Sequence, residues 1–181
     1  MWRIGFAFWM LPSSALAAEP PADPFAVHGV KLPVPIEIWR ERLQYFNCEP
    51  SPDPKVADVS CVVEGESKNT MYAGQSGTIE AQAFGGVVGF VSLVDWDCSA
   101  RKAEILVSAL DERLGKRAGT QVDATLESPW WKHGNTEVRF RRGIDRNGNV
   151  RFCSVTYQTD GFRAEAARRQ SAPFDGVRNG M

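Results

Sequence analysis

His133 closes the run Trp130-Trp131-Lys132-His133, and Ser128, Asp123 and Glu137 stand near it in the sequence. A serine, an imidazole and a carboxylate can relay a proton during acyl transfer, provided the serine is held against the imidazole and backbone donors await the oxyanion. No G-x-S-x-G elbow supplies that geometry, and Gly74-Gln75-Ser76-Gly77 departs from it. His133 therefore reads as a solvent-facing histidine, with hydrolysis through it kept as the alternative function. The acid pairs Asp95 with Asp97 and Asp111 with Glu112 read as surface carboxylates, because spacing along the chain does not set the separation that acid–base work needs. Gly85-Gly86-Val87-Val88-Gly89 lacks the order of a dinucleotide fingerprint, and no Gly-Lys-Ser/Thr follows a glycine cluster. Asp145, Asn147 and Asn149 share the alternate spacing of a calcium loop, but 151–157 contains no distal acid, so a hairpin turn is expected there. Neither a cofactor nor a metal site is expected.

The tryptophans Trp39, Trp96, Trp130 and Trp131 remain as candidates for recognition. Pro129 and Gly134 argue for a loop around Trp130 and Trp131, carried between strands at 122–126 and 138–140. Such a loop can stack an indole on a sugar or anchor a protein partner. The competing reading packs one indole on a helix while its neighbour covers the sheet edge. Trp130, Trp131 and His133 are thus the candidate partner-binding residues, with at least one indole expected to be exposed.

These groups must be positioned by a fold that the cysteines and the leader begin to define. Met1-Trp2-Arg3 and the apolar run 4–11 precede Ala15 and Ala17, a small-x-small signal-peptidase site, so cleavage after Ala17 is expected. The apolar run is far shorter than the roughly 20 residues that an anchor needs to span a bilayer. No cysteine follows the cleavage region, and the run 83–94 is broken by Gly85, Gly86 and Gly89, so no transmembrane anchor is expected after cleavage. A periplasmic or secreted location follows. There an even set of cysteines, Cys48, Cys61, Cys98 and Cys153, is expected to form two disulfides. Cys48 with Cys61 and Cys98 with Cys153 is the favoured pairing, because the first pair closes a polar, proline-rich loop over 49–60 that has no core of its own. Closing such a loop restricts the unfolded chain by about 3 kcal/mol. Zinc is the rival reading, but there is no C-x-x-C and only His28 and His133 are available.

The chain has 181 residues and a formal net charge of −1, which becomes about −2 when Arg3 leaves with the leader. That excludes a large multidomain enzyme and a polyanion groove of the nucleic-acid kind. Residues 18–35, with five prolines, read as an N-terminal arm. Ile36, Trp39, Leu43 and Phe46 recur at helical spacing and predict a helix ending near Cys48. Strands are expected at 60–64, 70–73, 78–83 and 87–94, punctuated by glycines. Ser99 then caps a second helix with Ala103, Leu106, Leu110 and Leu114 as its buried stripe, and Gly115 stops it. Alternation at 121–127 and 137–141 predicts half-buried strands, and Asn147-Gly148 turns the chain into a strand over 150–159 with a bulge near Phe152 and Cys153. Residues 161–181 read as a frayed helix and a flexible tail.

The expected architecture is α+β, with two successive helix-then-antiparallel-strand units at about 36–99 and 100–160 and the helices on one side of the sheet. The stretch Ile105-Leu106-Val107-Ser108-Ala109-Leu110-Asp111-Glu112-Arg113-Leu114-Gly115-Lys116, followed by Trp130 or Trp131 and then Asn135-Thr136-Glu137-Val138-Arg139-Phe140, resembles the β-lactamase-inhibitor-like superfamily. That resemblance implies an exported helix-plus-antiparallel-sheet fold with bridges inside a repeat. It transfers no contact residue, and the lipidated cysteine of the lipoprotein branch is absent. The function expected from these features is an exported, non-enzymatic module that binds a protein or other macromolecule of the bacterial envelope. The alternatives are a small periplasmic hydrolase using His133 and a purely structural envelope protein.

Overall fold

Along 136–144, Val138 and Phe140 are buried on one face while Arg139 and Arg141 lie on the other, the period-two pattern of a strand that covers a core on one side. A computed structural model describes residues 23–43, 46–63, 77–123 and 126–172, with the backbone alone at 123, 126 and 127. The leader, the strand expected at 70–73 and the tail beyond residue 172 lie outside the described residues. In chain order the elements are β1 (Val34–Pro35), α1 (Ile36–Arg42), β2 (Asn47–Pro50), β3 (Val59–Val63), β4 (Thr78–Phe84) and β5 (Val87–Asp95). There follow α2 (Ala100–Leu114), β6 (Gly119–Asp123), β7 (Leu126–His133), β8 (Thr136–Ile144), β9 (Val150–Thr159) and α3 (Asp160–Ser171).

The strands form one antiparallel sheet in the order β2-β3-β4-β5-β9-β8-β7-β6, with β1 alongside the start of β5. The fold is α+β, as expected, but the two halves share a single sheet and do not make separate helix-and-sheet units. Their seam is the β5–β9 ladder, from Phe90 opposite Gln158 to Asp95 opposite Cys153. One face carries the core: Ile79, Ala81, Val91, Leu93, Trp131, Val138, Phe140, Val155 and Tyr157 pack with Trp39 of α1, with Leu43 at its end and with Ala103, Leu106 and Leu110 of α2.

Helix α2 follows its sequence signals closely. The Ser99 hydroxyl accepts from the Lys102 amide at 3.2 Å, and Gly115 ends the helix at φ +77°, a conformation that costs glycine little. Helix α1 is shorter than its periodicity suggests and stops at Arg42, because the chain must reach Asn47 in time to lay β2 against β3. Cys48 and Cys61 stand directly opposite in that ladder and are bonded, with Cα atoms 3.9 Å apart. Cys98 and Cys153 are bonded as well, fastening the approach to α2 to the central strand β9. At the Asn147-Gly148 turn the Asp145 carboxylate accepts from the amides of Asn147 and Asn149, both at 2.9 Å, which completes the expected hairpin. The register shift lies opposite Ile144 and Gly143, where Arg151 is the extra residue between Val150 and Phe152.

Two terminal segments differ from expectation. From Asp23 on, the proline-rich arm is part of the core: Phe25, Val27, Val30, Leu32 and Val34 are buried, and Arg113 of α2 donates to the carbonyls of Pro24 and Ala26. Its apolar residues lack a helix or strand period, which hides their burial from a periodicity argument. The Ala- and Arg-rich segment after residue 160 is a docked helix, α3, capped by the Thr159 hydroxyl and fixed by the buried Phe162, which stacks on Phe84 and Phe90. Because Phe90 points away from the core, α3 covers one end of the opposite face. Among the described residues the helices are therefore divided between the two sides of the sheet, α1 and α2 on the core side and α3 on the other.

Candidate functional site

The alternation that buries Val138 and Phe140 turns Glu137, Arg139 and Arg141 to the other face of β8. In β9 it does the same to Ser154, Thr156 and Gln158, and in β5 to Phe90, Ser92 and Val94. The registers align these residues in three ranks across the strands: Glu137, Gln158 and Phe90; Arg139, Thr156 and Ser92; Arg141, Ser154 and Val94. Over them lies a groove of about 550 Å³. Arg163 of α3 stands at the first rank, and Trp96 with Phe152 stands beyond the third. Ser92, Ser154 and Thr156 make a floor of hydroxyls bounded by arginines on one side.

Three arginines, Arg139, Arg141 and Arg163, share the groove with one carboxylate, Glu137, which leaves a surplus of two positive charges. Glu137 is buried and committed: Arg139 reaches one of its oxygens at 2.8 Å and Arg163 the other at 3.0 Å. Arg139 also donates to Gln121 Oε1 at 2.7 Å. Arg141 is exposed and makes no ion pair among the described residues. Farther along the same face, Glu80 of β4 is held by Ser60 at 3.1 Å and Gln82 at 2.7 Å.

Trp96 is the most exposed large apolar side chain among the described residues, at 66%. Its Nε1 donates to Thr78 Oγ1 at 3.2 Å, and its ring lies 5.6 Å from that of Phe152. The backbone around it is tightly held. Asp95 is buried, accepts from the Asp97 amide and faces Lys102 at 3.5 Å, and the Cys98–Cys153 bond follows two residues after Trp96. Phe152 in turn lies over Gly143, where a Cβ would collide with its ring. A smaller hollow of about 420 Å³ beside α3 has its charged groups, Glu165 and Arg169, already paired with neighbours.

The residues singled out from sequence are distributed differently from the expected loop. Residues 126–133 are strand β7, and a two-residue turn at Gly134-Asn135 leads into β8. Trp131 points into the core and is fully buried, close to the Asp111–Arg117 ion pair, so it is a core residue and not a surface anchor. Arg117 holds the Asp111 carboxyl below the usual aspartate range. Trp130 points the other way, half-buried on the open face beside Arg139, its ring over Gly119. His133 is exposed and stacks on Phe25 at 5.3 Å. Ser128 and His133, an odd number of residues apart in β7, project to opposite faces, and Glu137 is turned to the groove, so the sequence neighbours of a relay are not brought together.

No family model, curated protein or solved structure matches the chain. The groove residues Arg139, Arg141, Arg163, Ser154 and Thr156 were not among the sequence candidates. Their signal was present in the alternation of β8 and in Ser154-x-Thr156-x-Gln158, but it becomes a site only when β5, β9 and β8 are adjacent.

Proposed function

We propose that the protein is an exported, non-enzymatic binding module that takes a macromolecular partner of the bacterial envelope or secreted space on the open face of its sheet. The observation that carries this reading is the groove itself, where a hydroxyl floor, a surplus of arginines and an exposed, braced Trp96 converge on rigid strands. Sites built on strands keep their groups in place without an ordering cost at binding. Export is supported by the leader at 1–17 and by two disulfides, which persist in oxidising compartments. Among the described residues no helix is long and apolar enough to cross a membrane.

The test is capture from an envelope extract by the immobilised chain, wild type beside Thr156→Arg. An arginine at Thr156 fills the centre of the floor while leaving the core face untouched. Loss of the retained material with an unchanged melting temperature is the expected result. Retention that survives Thr156→Arg and disappears with His133→Ala would overturn the open-face reading.

A further inference from the structure

We propose that the groove is built for an acidic saccharide, an oligomer of uronic-acid type in which one ring stacks on Trp96 and a carboxylate meets Arg141. This deepens the open-face reading and rests on it. The first argument is the supply of hydrogen bonds. Under the floor, β5 is paired with β4 and β9, and β9 with β5 and β8, so these backbone groups are spent in ladders and the floor offers side chains. An extended peptide gains affinity by adding to a sheet edge with its own backbone, and the middle of a sheet gives it no such partner. A sugar carries hydroxyls that donate and accept, which suits the hydroxyls of Ser92, Ser154 and Thr156 and the amide of Gln158.

The second argument is the aromatic surface. Trp96 is fixed by its edge through Thr78 and exposes its ring, a flat apolar platform with a polar rim, beside a polar floor. The C–H face of a pyranose ring is complementary to such a platform. Third, the charges discriminate. Arg139 and Arg163 are committed to Glu137, whereas Arg141 is the groove cation without an ion pair among the described residues, and a guanidinium pairs with a carboxylate in bidentate fashion. Two strand spacings, about 10 Å, separate β5, which leads into Trp96, from β8, which carries Arg141. That span calls for an oligomer. A volume of about 550 Å³ falls within the range of ligand sites, about 300–1,000 Å³.

The experiment is calorimetric titration of the full chain with tetragalacturonate and with a hyaluronan hexasaccharide, each beside its carboxyl methyl ester, and with poly-glutamate. At least one acidic saccharide is expected to bind and to shift the tryptophan fluorescence of the wild type but not that of Trp96→Ala. Arg141→Gln should weaken that binding by about tenfold, to the level of the ester on the wild type. Trp96→Ala should weaken acid and ester alike, and neither variant should change the melting temperature. The proposal is overturned if neither acidic saccharide binds, if acid and ester bind equally, or if poly-glutamate competes for Arg141 more tightly than the saccharides. In those cases the Thr156→Arg capture decides separately whether the open face is a binding surface at all.

Discussion

Arg169, near the end of α3, holds the carboxylate of Asp58 at 2.6 Å across 111 positions of sequence. The same guanidinium donates to the Pro54 carbonyl at 2.8 Å and lies 4.3 Å from the centre of the Phe84 ring. Asp58 also accepts from the Gly85 amide at 2.8 Å. One side chain thereby joins the last helix, the loop after β2 and the β4–β5 turn, and it sets the position from which α3 bounds the groove.

Acid should release this helix. Arg168 and Arg169 hold the Glu165 carboxyl at about 2, from its ordinary 4.5, and Arg169, then the Gly85 amide, lowers that of Asp58. A carboxylate lowered by the fold stabilises it fully above its unfolded pKa, and the contribution is lost as pH falls towards the folded value. The protection of the α3 amides, taken relative to their intrinsic exchange rate at each pH, is therefore expected to fall between about pH 4.5 and pH 2, and Asp58→Asn should lower it already at neutral pH. Protection of α3 that is unchanged across this range in the wild type would show that Phe162 and the other contacts of the helix hold it without Glu165 and Asp58.

The tryptophans should separate cleanly by face. Trp131→Ala removes a fully buried indole and is expected to cost about 3–5 kcal/mol. Trp96→Ala should stay within about 0.5 kcal/mol, because its ring is mostly in solvent. Thermal melts measure both, and a large loss for Trp96→Ala would mean that it braces the sheet end.

The parts of the fold that sequence made legible are those governed by neighbours along the chain. Ser99, the stripe Ala103, Leu106 and Leu110, and Gly115 specify α2 without reference to anything distant, as Asn147-Gly148 does its hairpin. Residues 126–133 misled because Pro129 and Gly134 are loop punctuation in most contexts. Here β8 pairs with β7 only from Trp130 to His133, so Pro129 takes part in one ladder alone, and Gly134 supplies the positive φ of a two-residue turn. The groove was not legible for a further reason: its ranks depend on β9 pairing with the distant β5 as well as with β8, and no local pattern encodes the β5–β9 ladder.

The two disulfides should differ in weight. In the chain-entropy account a separation of 55 residues restricts the unfolded state by about 4 kcal/mol and one of 13 by about 3 kcal/mol. Replacing Cys98 and Cys153 by Ala is thus expected to destabilise more than replacing Cys48 and Cys61, as denaturant titration can measure. Since Cys98 follows Trp96 by two residues, the first replacement should also broaden the Trp96 indole resonance, and the second should leave it sharp.

Strand β9, the last among the described residues, occupies the middle of the sheet. While a growing chain stops short of Val150, the flank of β5 from Phe90 onward and the flank of β8 face nothing, and the two halves have no seam. Folding must wait for contacts between distant parts of the chain, which makes it slow by topology. The order of synthesis thus leaves the two halves of the sheet without the strand that joins them until β9 is made.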